Sequence, residues 1–439
     1  MSPTRSLSEL AQLIQIRTVS IEGGLKSAGI PQPSFDAAAP AVLPIGSELE
    51  DIRDDLIEAL DELRALVLGP VGHLFSSMLP VPAINATLHG IYRFRIAQHL
   101  GPNETISHSQ LAERCGLPEA DLRRYLRMAT SLRLFDEPEK GMVRHNAPSA
   151  FLAATPPAHD MLGMLLQEQA SAGLVLADTL QRYPGSEEPG DAAGVAALLG
   201  TFAPKQGDDE GAAAVRTDYY SAISGDPERV SMVASAMSLA SKIPSHDVRH
   251  FVEGCGWDKS PESCPRKVVD IGGSEGRLCM ALLQRFDGIQ EAISLDRPEV
   301  VEGTEVPEAL RGRLSFGAYD FFEEQAVKDA DVYIFRNIFH NWSDKYAVRM
   351  LRNQIPALKP GARLFVNEAC LPEPDASRLV KNQIAWGSDL IMKMIFNAQD
   401  RSKEDWYGLF AKADARFKVV SINTPPRSAL AVIEVIWEG

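Results

Sequence analysis

The chain has 439 residues, 45% hydrophobic and 23% charged, with a formal net charge of −15. That length exceeds one ordinary core and implies two or three packed units. The acidity argues against a nucleic-acid or anionic-membrane surface, since both need a positive field.

Five cysteines (Cys115, Cys255, Cys264, Cys279 and Cys370) lack C-x-x-C spacing, which suits neither a disulfide framework nor a zinc site. The N-terminus, Met1-Ser2-Pro3-Thr4-Arg5, soon becomes amphipathic without a signal-peptide core, and no apolar run approaches a membrane span. A cytoplasmic protein is expected.

Residues 6–20 predict a short helix, with Leu7, Leu10, Leu13 and Ile14 on one face. Residues 23–46, rich in Gly, Pro and Ala, read as a linker. Helical periodicity returns at Leu49, Ile52, Leu56, Leu60, Leu63 and Val67, an apolar face that must pack on its own domain or a second subunit.

Residues 106–150 have the pattern of a winged helix-turn-helix. Ser107 and Gln110 predict a capping box, Gly116 a turn and Pro118 the start of a second helix through Leu122, Leu126 and Ala129; residues 133–145 suit a hairpin wing. Arg123, Arg124 and Arg127 raise DNA reading, but Glu119, Asp121, Asp136 and Glu137 oppose it, so the motif is read as a packing module. Residues 160–250 read as mostly helical, broken by a polar loop at 185–194. Beyond Pro265, β-rich runs at 267–270, 292–296, 331–336 and 363–368 alternate with helices, as in a parallel sheet covered on both faces; runs at 417–422 and 429–437 suggest a closing antiparallel pair.

The strongest local signal is Val268-Val269-Asp270-Ile271-Gly272-Gly273-Ser274-Glu275-Gly276, a strand turned into a helix by glycines. The dinucleotide spacing G-x-G-x-x-G and the Walker lysine are both missing, and Asp270 and Glu275 would repel a diphosphate. With Asp296 ending the next strand, where a carboxylate can accept ribose hydroxyls, the acids favour a cationic adenosyl ligand, S-adenosylmethionine (SAM).

The chain from about residue 50 onward resembles the fungal and plant-type small-molecule O-methyltransferases. The resemblance rests on Phe339-His340-Asn341-Trp342-Ser343-Asp344, Ala357-Leu358-Lys359-Pro360-Gly361-Ala362 and Asn367-Glu368-Ala369-Cys370-Leu371-Pro372. It implies an α/β fold: a Rossmann-like class I SAM methyltransferase domain preceded by a mostly helical winged-helix domain. The expected divisions are an N-terminal helix and linker (1–46), a winged-helix dimerisation domain (47–160), a helical connector contributing to the substrate pocket (161–250) and the SAM-binding catalytic domain (251–439).

The resemblance further implies His340 as general base, oriented by Glu368 and assisted by Asp400, where the family more often has Glu. The implied SAM-binding set is Asp270, Gly272, Gly273, Gly276, Asp296, Asp320, Phe321 and Arg336, with Asp320 on the adenine amino group, Phe321 against its ring and Arg336 near the methionine carboxylate. A phenolic or enolic, polyketide-type substrate and a homodimer are the family expectations; no metal, nucleic acid or membrane is expected. Met232, Met237, Met392 and Met394 read mainly as core, residues 389–396 as a substrate wall, and His145, His246 and His250 as surface or capping residues.

Two other readings share the fold and loop. One is a pericyclase that uses the SAM sulfonium electrostatically and transfers no methyl; the other is a non-catalytic regulator that senses SAM. The intact histidine and acids favour methyl transfer over both.

Overall fold

The computed structural model describes residues 5–202, 217–375 and 377–439. Two compact units emerge: Met1–Ala170 with Pro227–Leu239 and Pro374–Ile384, and Ser171–Asp226 with Ala240–Glu373 and Ala385–Gly439. The stretch 161–250, expected as one connector, is divided between them. Its residues 203–216, like Met1 to Thr4, lie outside the described residues.

In the first unit the opening helix is longer than expected, Leu7–Ser27, and starts from a Ser6/Glu9 capping box. Gly23 and Gly24 were expected to begin the linker. They stay helical because Gly24 meets the Leu49 side chain of the helix Ser47–Met78, where a Cβ would collide. That tight approach offsets glycine's poor helix propensity. Helix Ser47–Met78 kinks at Gly69 (φ 65°), immediately before Pro70. Its Glu58 carboxylate accepts the N–H groups of Val380 and Lys381 (3.0 and 2.9 Å), capping the start of the helix Leu379–Phe396.

One expectation needs correction here. An 18-residue window within Glu48–Arg93 reaches a mean hydropathy of 1.4 and is 0% buried, so by length and composition an apolar run of membrane-span size does exist. In the sequence it is interrupted by Gly69, Pro70, His73, Ser76, Ser77 and Pro80. Within the expected face, Ile52, Leu56 and Leu63 are half-buried while Leu60 and Val67 are exposed.

The winged module forms as read. Ser107 caps the helix His108–Cys115, Gly116 turns at φ 67°, and the helix Glu119–Ser131 follows. Strands β1 (Thr105–Ser107), β2 (Phe135–Asp136) and β3 (Met142–His145) make a small sheet in the order β1-β3-β2. His145 is not a surface residue: it is buried, with its ring nitrogens against Ser149 Oγ (2.9 Å) and the Leu100 carbonyl (3.1 Å). Facing inward from the last strand position, it satisfies polar groups the wing would otherwise bury. Met232 is core as expected, its sulfur 3.2 Å from the Tyr92 hydroxyl, whereas Met237 is exposed.

The second unit carries a seven-stranded sheet: β4 (Lys267–Ile271), β5 (Glu291–Asp296), β6 (Leu314–Ala318), β7 (Val332–Arg336), β8 (Arg363–Glu368), β9 (Phe417–Asn423) and β10 (Ala431–Trp437). The order is β6-β5-β4-β7-β8-β10-β9, with β4 to β8 parallel and β10 antiparallel to both neighbours. Alternation along each strand feeds two cores. Val269, Ile271, Phe335 and Val366 pack on one face with Trp406 and Phe410; Val268, Ile334 and Phe365 pack on the other with Leu278, Phe251 and Trp257. β4 connects outward to β5 while β7 lies on its other side. The chain therefore diverges at the C-terminal ends of β4 and β7, where open α/β sheets hold their ligands.

Candidate active site

The loop after β4 is built by contact, not by composition alone. Gly272 leaves the strand at φ 73°, and the N–H groups of Gly272 and Gly273 both donate to the Leu295 carbonyl of β5 (2.7 and 3.1 Å). A Cβ on Gly273 would meet Asp270 and Ser294; one on Gly276 would lie 2.8 Å from Phe316. Gly276, at φ 72°, then enters the helix Arg277–Arg285. Ser274, a non-glycine at φ 50°, donates its N–H to Asp296 Oδ2 (2.9 Å), while Asp296 Oδ1 accepts from Arg297 (2.8 Å). Asp296 thus ties the loop to the end of β5.

Asp270 is buried beneath this loop. Burial pushes its carboxyl up to about 7, opposed by the Arg336 charge and reinforced by Asp296. Arg336 ends β7 half-buried, its guanidinium bonded to the Asn367 side chain and the His246 carbonyl. His246, expected as a surface or capping residue, is half-buried, and its carbonyl is fastened to Arg336 of β7. Beyond β6, Asp320 is exposed and accepts the Phe322 N–H (2.8 Å), and Phe321 stands edge-on to Phe322 and Trp342 (centroids 5.0 and 5.9 Å). The sequence-predicted residues thus fall at the C-terminal ends of four adjacent strands.

His340 sits in a short turn, Phe339–Asn341, after β7. Its Nδ1 lies 3.8 Å from Glu368 Oε2 and 3.9 Å from Asp400 Oδ1. These are beyond hydrogen-bond length but close enough for a strong field in a buried site. The other oxygen of Glu368 accepts two main-chain N–H groups, from Ile338 (2.5 Å) and Phe339 (2.7 Å), so this carboxylate caps the turn that carries the histidine. Burial pushes the His340 imidazole below its ordinary value, with Asp400 opposing and Arg401 reinforcing. Burial also raises Glu368 to about 7, against its two N–H donors and the charges of Arg401 and Arg336. Asp400 is raised by burial as well, with His340 opposing.

Two further residues have evident roles in this geometry: Asp389, expected only as part of the substrate wall, and Arg401, for which no role is expected from the sequence. Asp389 accepts the Asp400 N–H, and Arg401, fully buried, spans the turn after β7. Neither has a local signature, because each acts on backbone atoms remote in sequence. The polar loop near Gly185 is fastened too: Ser343 Oγ donates to the Glu187 carbonyl (2.8 Å), and Asn397 Nδ2 to those of Ser186 and Glu188 (3.0 and 2.9 Å). A cavity of about 960 Å³ opens there, lined by Ser186, Asp344, Asp389, Leu390, Lys393 and Gln399 among others. Of the expected substrate wall it includes Asp389, Leu390 and Lys393, while Phe396 packs on Tyr219 and Tyr220.

A sequence profile described as the O-methyltransferase domain matches residues 215–416. O-methyltransferase kk1A of Curvularia clavata is 35% identical over 100% of this chain and 99% of its own length. The grayanic acid biosynthesis cluster O-methyltransferase of Cladonia grayi is 33% identical (98% and 88%), and the chlorophenol O-methyltransferase of Trichoderma longibrachiatum 30% identical (98% and 90%). Among solved structures, OxaC superposes with a TM-score of 0.72 at 19% identity, covering 98% of this chain and 100% of that one. A protein described as a pericyclic reaction enzyme gives 0.68 at 19% (97% and 100%). At such identities these two show the shared fold. The full-length relatives show more: the chain belongs to the SAM-dependent O-methyltransferases of fungal-type secondary metabolism.

Proposed function

We propose that the chain methylates a phenolic or enolic hydroxyl of a small secondary metabolite, with His340 as general base between Glu368 and Asp400. One observation carries the reading: His340 Nδ1, just past β7, faces two buried carboxylates, Glu368 at the end of β8 and Asp400 in the loop after the helix Leu379–Phe396. The name of the Trichoderma relative, a chlorophenol O-methyltransferase, supports a phenolic acceptor.

SAM, when bound, supplies the methyl group on a sulfonium. The donor set suits such a ligand. Carboxylates at Asp270, Asp296 and Asp320 offer acceptors for ammonium, hydroxyl and amino groups, and Phe321 offers a ring face. Gly272, Gly273 and Gly276 keep the loop low against β4 and β5, and Arg336 supplies the one cation among these positions.

A phenol titrates near 10 and imidazole near 6.5, so complete proton removal before attack would cost about 5 kcal/mol. His340 therefore takes the proton as the oxygen reacts. With Nδ1 toward the acids, Nε2 is the atom left for the acceptor hydroxyl, and burial keeps it unprotonated at neutral pH. As the ring becomes charged, Glu368 and Asp400, 3.8 and 3.9 Å from Nδ1, stabilise it through their field. The exposed apolar face of helix Ser47–Met78 supports a homodimer as the working form.

The test is incubation with methyl-labelled SAM and a panel of phenolic metabolites, read by mass spectrometry. Labelled product that disappears in His340→Ala is expected. Substrate rearranged without label and without S-adenosylhomocysteine would overturn the reading in favour of pericyclic chemistry.

A further inference from the structure

Three segments must be held in register for the site above: the turn bearing His340, the exit of β8 bearing Glu368, and the loop bearing Asp400. They meet at one residue, Arg401, whose side chain holds the turn and whose backbone holds the exit of β8. Arg401 is fully buried; its Nη1 donates to the Phe339 carbonyl (3.0 Å) and its Nη2 to that of Trp342 (2.9 Å). Nε and Nη2 also reach Asp344 Oδ1 at 3.1 Å each. The fork therefore clasps both ends of the Phe339–Asn341 turn. Its own backbone forms a bridge to Cys370, and its carbonyl accepts the Leu371 N–H (2.9 Å), two to three residues past Glu368. Asp400 precedes it directly.

We propose that Arg401 is a positioning residue for methyl transfer: its guanidinium fastens the turn bearing His340 to the loop that carries Asp400, and places a fixed positive charge beside the trio. The proposal rests on His340 being the base. Geometry alone would make Arg401 a brace; the charge gives it a second effect. A buried cation near His340 disfavours the imidazolium and favours ionised Glu368, so it holds the trio in the state ready to accept a proton. The groups facing the trio are Glu368 from β8, Asp400 and Arg401 from the loop, Arg336 from β7, His246 from its turn and Asp389 from the helix Leu379–Phe396. Lysine can keep the charge but not the planar fork, which separates the two effects.

The experiment compares Arg401→Lys and Arg401→Met with the unsubstituted enzyme, measuring kcat and KM across pH for a phenolic acceptor and SAM. Loss of the brace is expected to lower kcat roughly a hundredfold in both, with the KM for SAM little changed. In Arg401→Met the acid limb of kcat moves to higher pH; in Arg401→Lys it stays near its original position. Should Arg401→Met fail to fold because Asp344 loses one of its two cationic partners, Arg401 and Lys412, the double variant Arg401→Met/Asp344→Asn replaces it, and Arg401→Lys still reports the brace. Full kcat in Arg401→Lys, or an unmoved limb in the Met variants, would overturn the proposal. His340→Ala distinguishes the failures: retained activity there would remove the base itself, whereas its loss with an unmoved limb would remove only the role of Arg401.

Discussion

Asp389 Oδ1 accepts the main-chain N–H of Asp400 at 2.9 Å, so one acid fixes the backbone from which another approaches His340. The contact needs an acceptor, not a charge. Asp389→Asn, which keeps a carbonyl oxygen, is expected to retain most activity. Asp389→Ala leaves a buried N–H unsatisfied and should lower kcat roughly 3- to 10-fold, the equivalent of about 1 kcal/mol. Steady-state kinetics with circular dichroism as a fold control decide it; equal loss in both variants would mean that the negative charge matters instead.

The pH dependence belongs to the trio, not to one residue. His340, lowered by burial, loses basicity only as pH falls through its depressed value, whereas Glu368, raised to about 7, becomes a carboxylate only as pH rises through that range. Activity should therefore climb with pH along an acid limb reaching to near 7. Glu368→Gln removes the upper component, so its limb should lie at lower pH while its maximum rate falls. A kcat/KM profile whose limb is the same in both proteins would show that Glu368 does not titrate with function.

Asp270 makes the clearest stability prediction. Its folded value, about 7, lies above the ordinary 3.8, so between those pH values the native state holds a proton that the unfolded chain has released. Stability associated with this group is then fully present below about 4 and lost as pH rises through 7. Asp270→Asn, which does not ionise, should be more stable than the parent at pH 8 by an amount on the order of 2–4 kcal/mol, with the gap closing towards pH 4. Melting temperatures of the SAM-free proteins at both pH values test this, and a gap that widens on acidification would contradict it.

How far the sequence reveals all this depends on where the information is stored. β4, β5, β7 and β8 were readable because strands buried on both faces are short apolar runs, and the residues that follow them carry the motif. β6 is not legible in this way: Leu314-Ser315-Phe316-Gly317-Ala318 is an edge strand with mixed burial and an internal glycine. Similarly, His340, Glu368 and Asp400 stand in recognisable motifs, but what Arg401 and Asp389 do is expressed only in contacts to carbonyls and N–H groups that the fold brings near. In the sequence they are an unremarked cation and a mid-helix acid. Gly24 shows the converse error, a helix breaker by propensity that the packing of Leu49 keeps inside a helix.

The kinked helix carries the last prediction. Val67 and Val71 are 67% and 68% exposed on either side of Gly69-Pro70, and Leu74 follows at 54%. Exposed apolar side chains in such a run stabilise nothing unless another surface covers them. If a second copy does so, Val71→Glu together with Leu74→Glu would bury charge at the interface and lose apolar contact, each lost side chain contributing about 1.5–3 kcal/mol. Light scattering at micromolar concentration should then give twice the chain mass for the parent and a single chain mass for the double variant. Neither residue belongs to a buried core, so the isolated chain should keep its secondary structure. A parent that is already monomeric would remove the homodimer; a double variant that remains dimeric would move the interface away from this face.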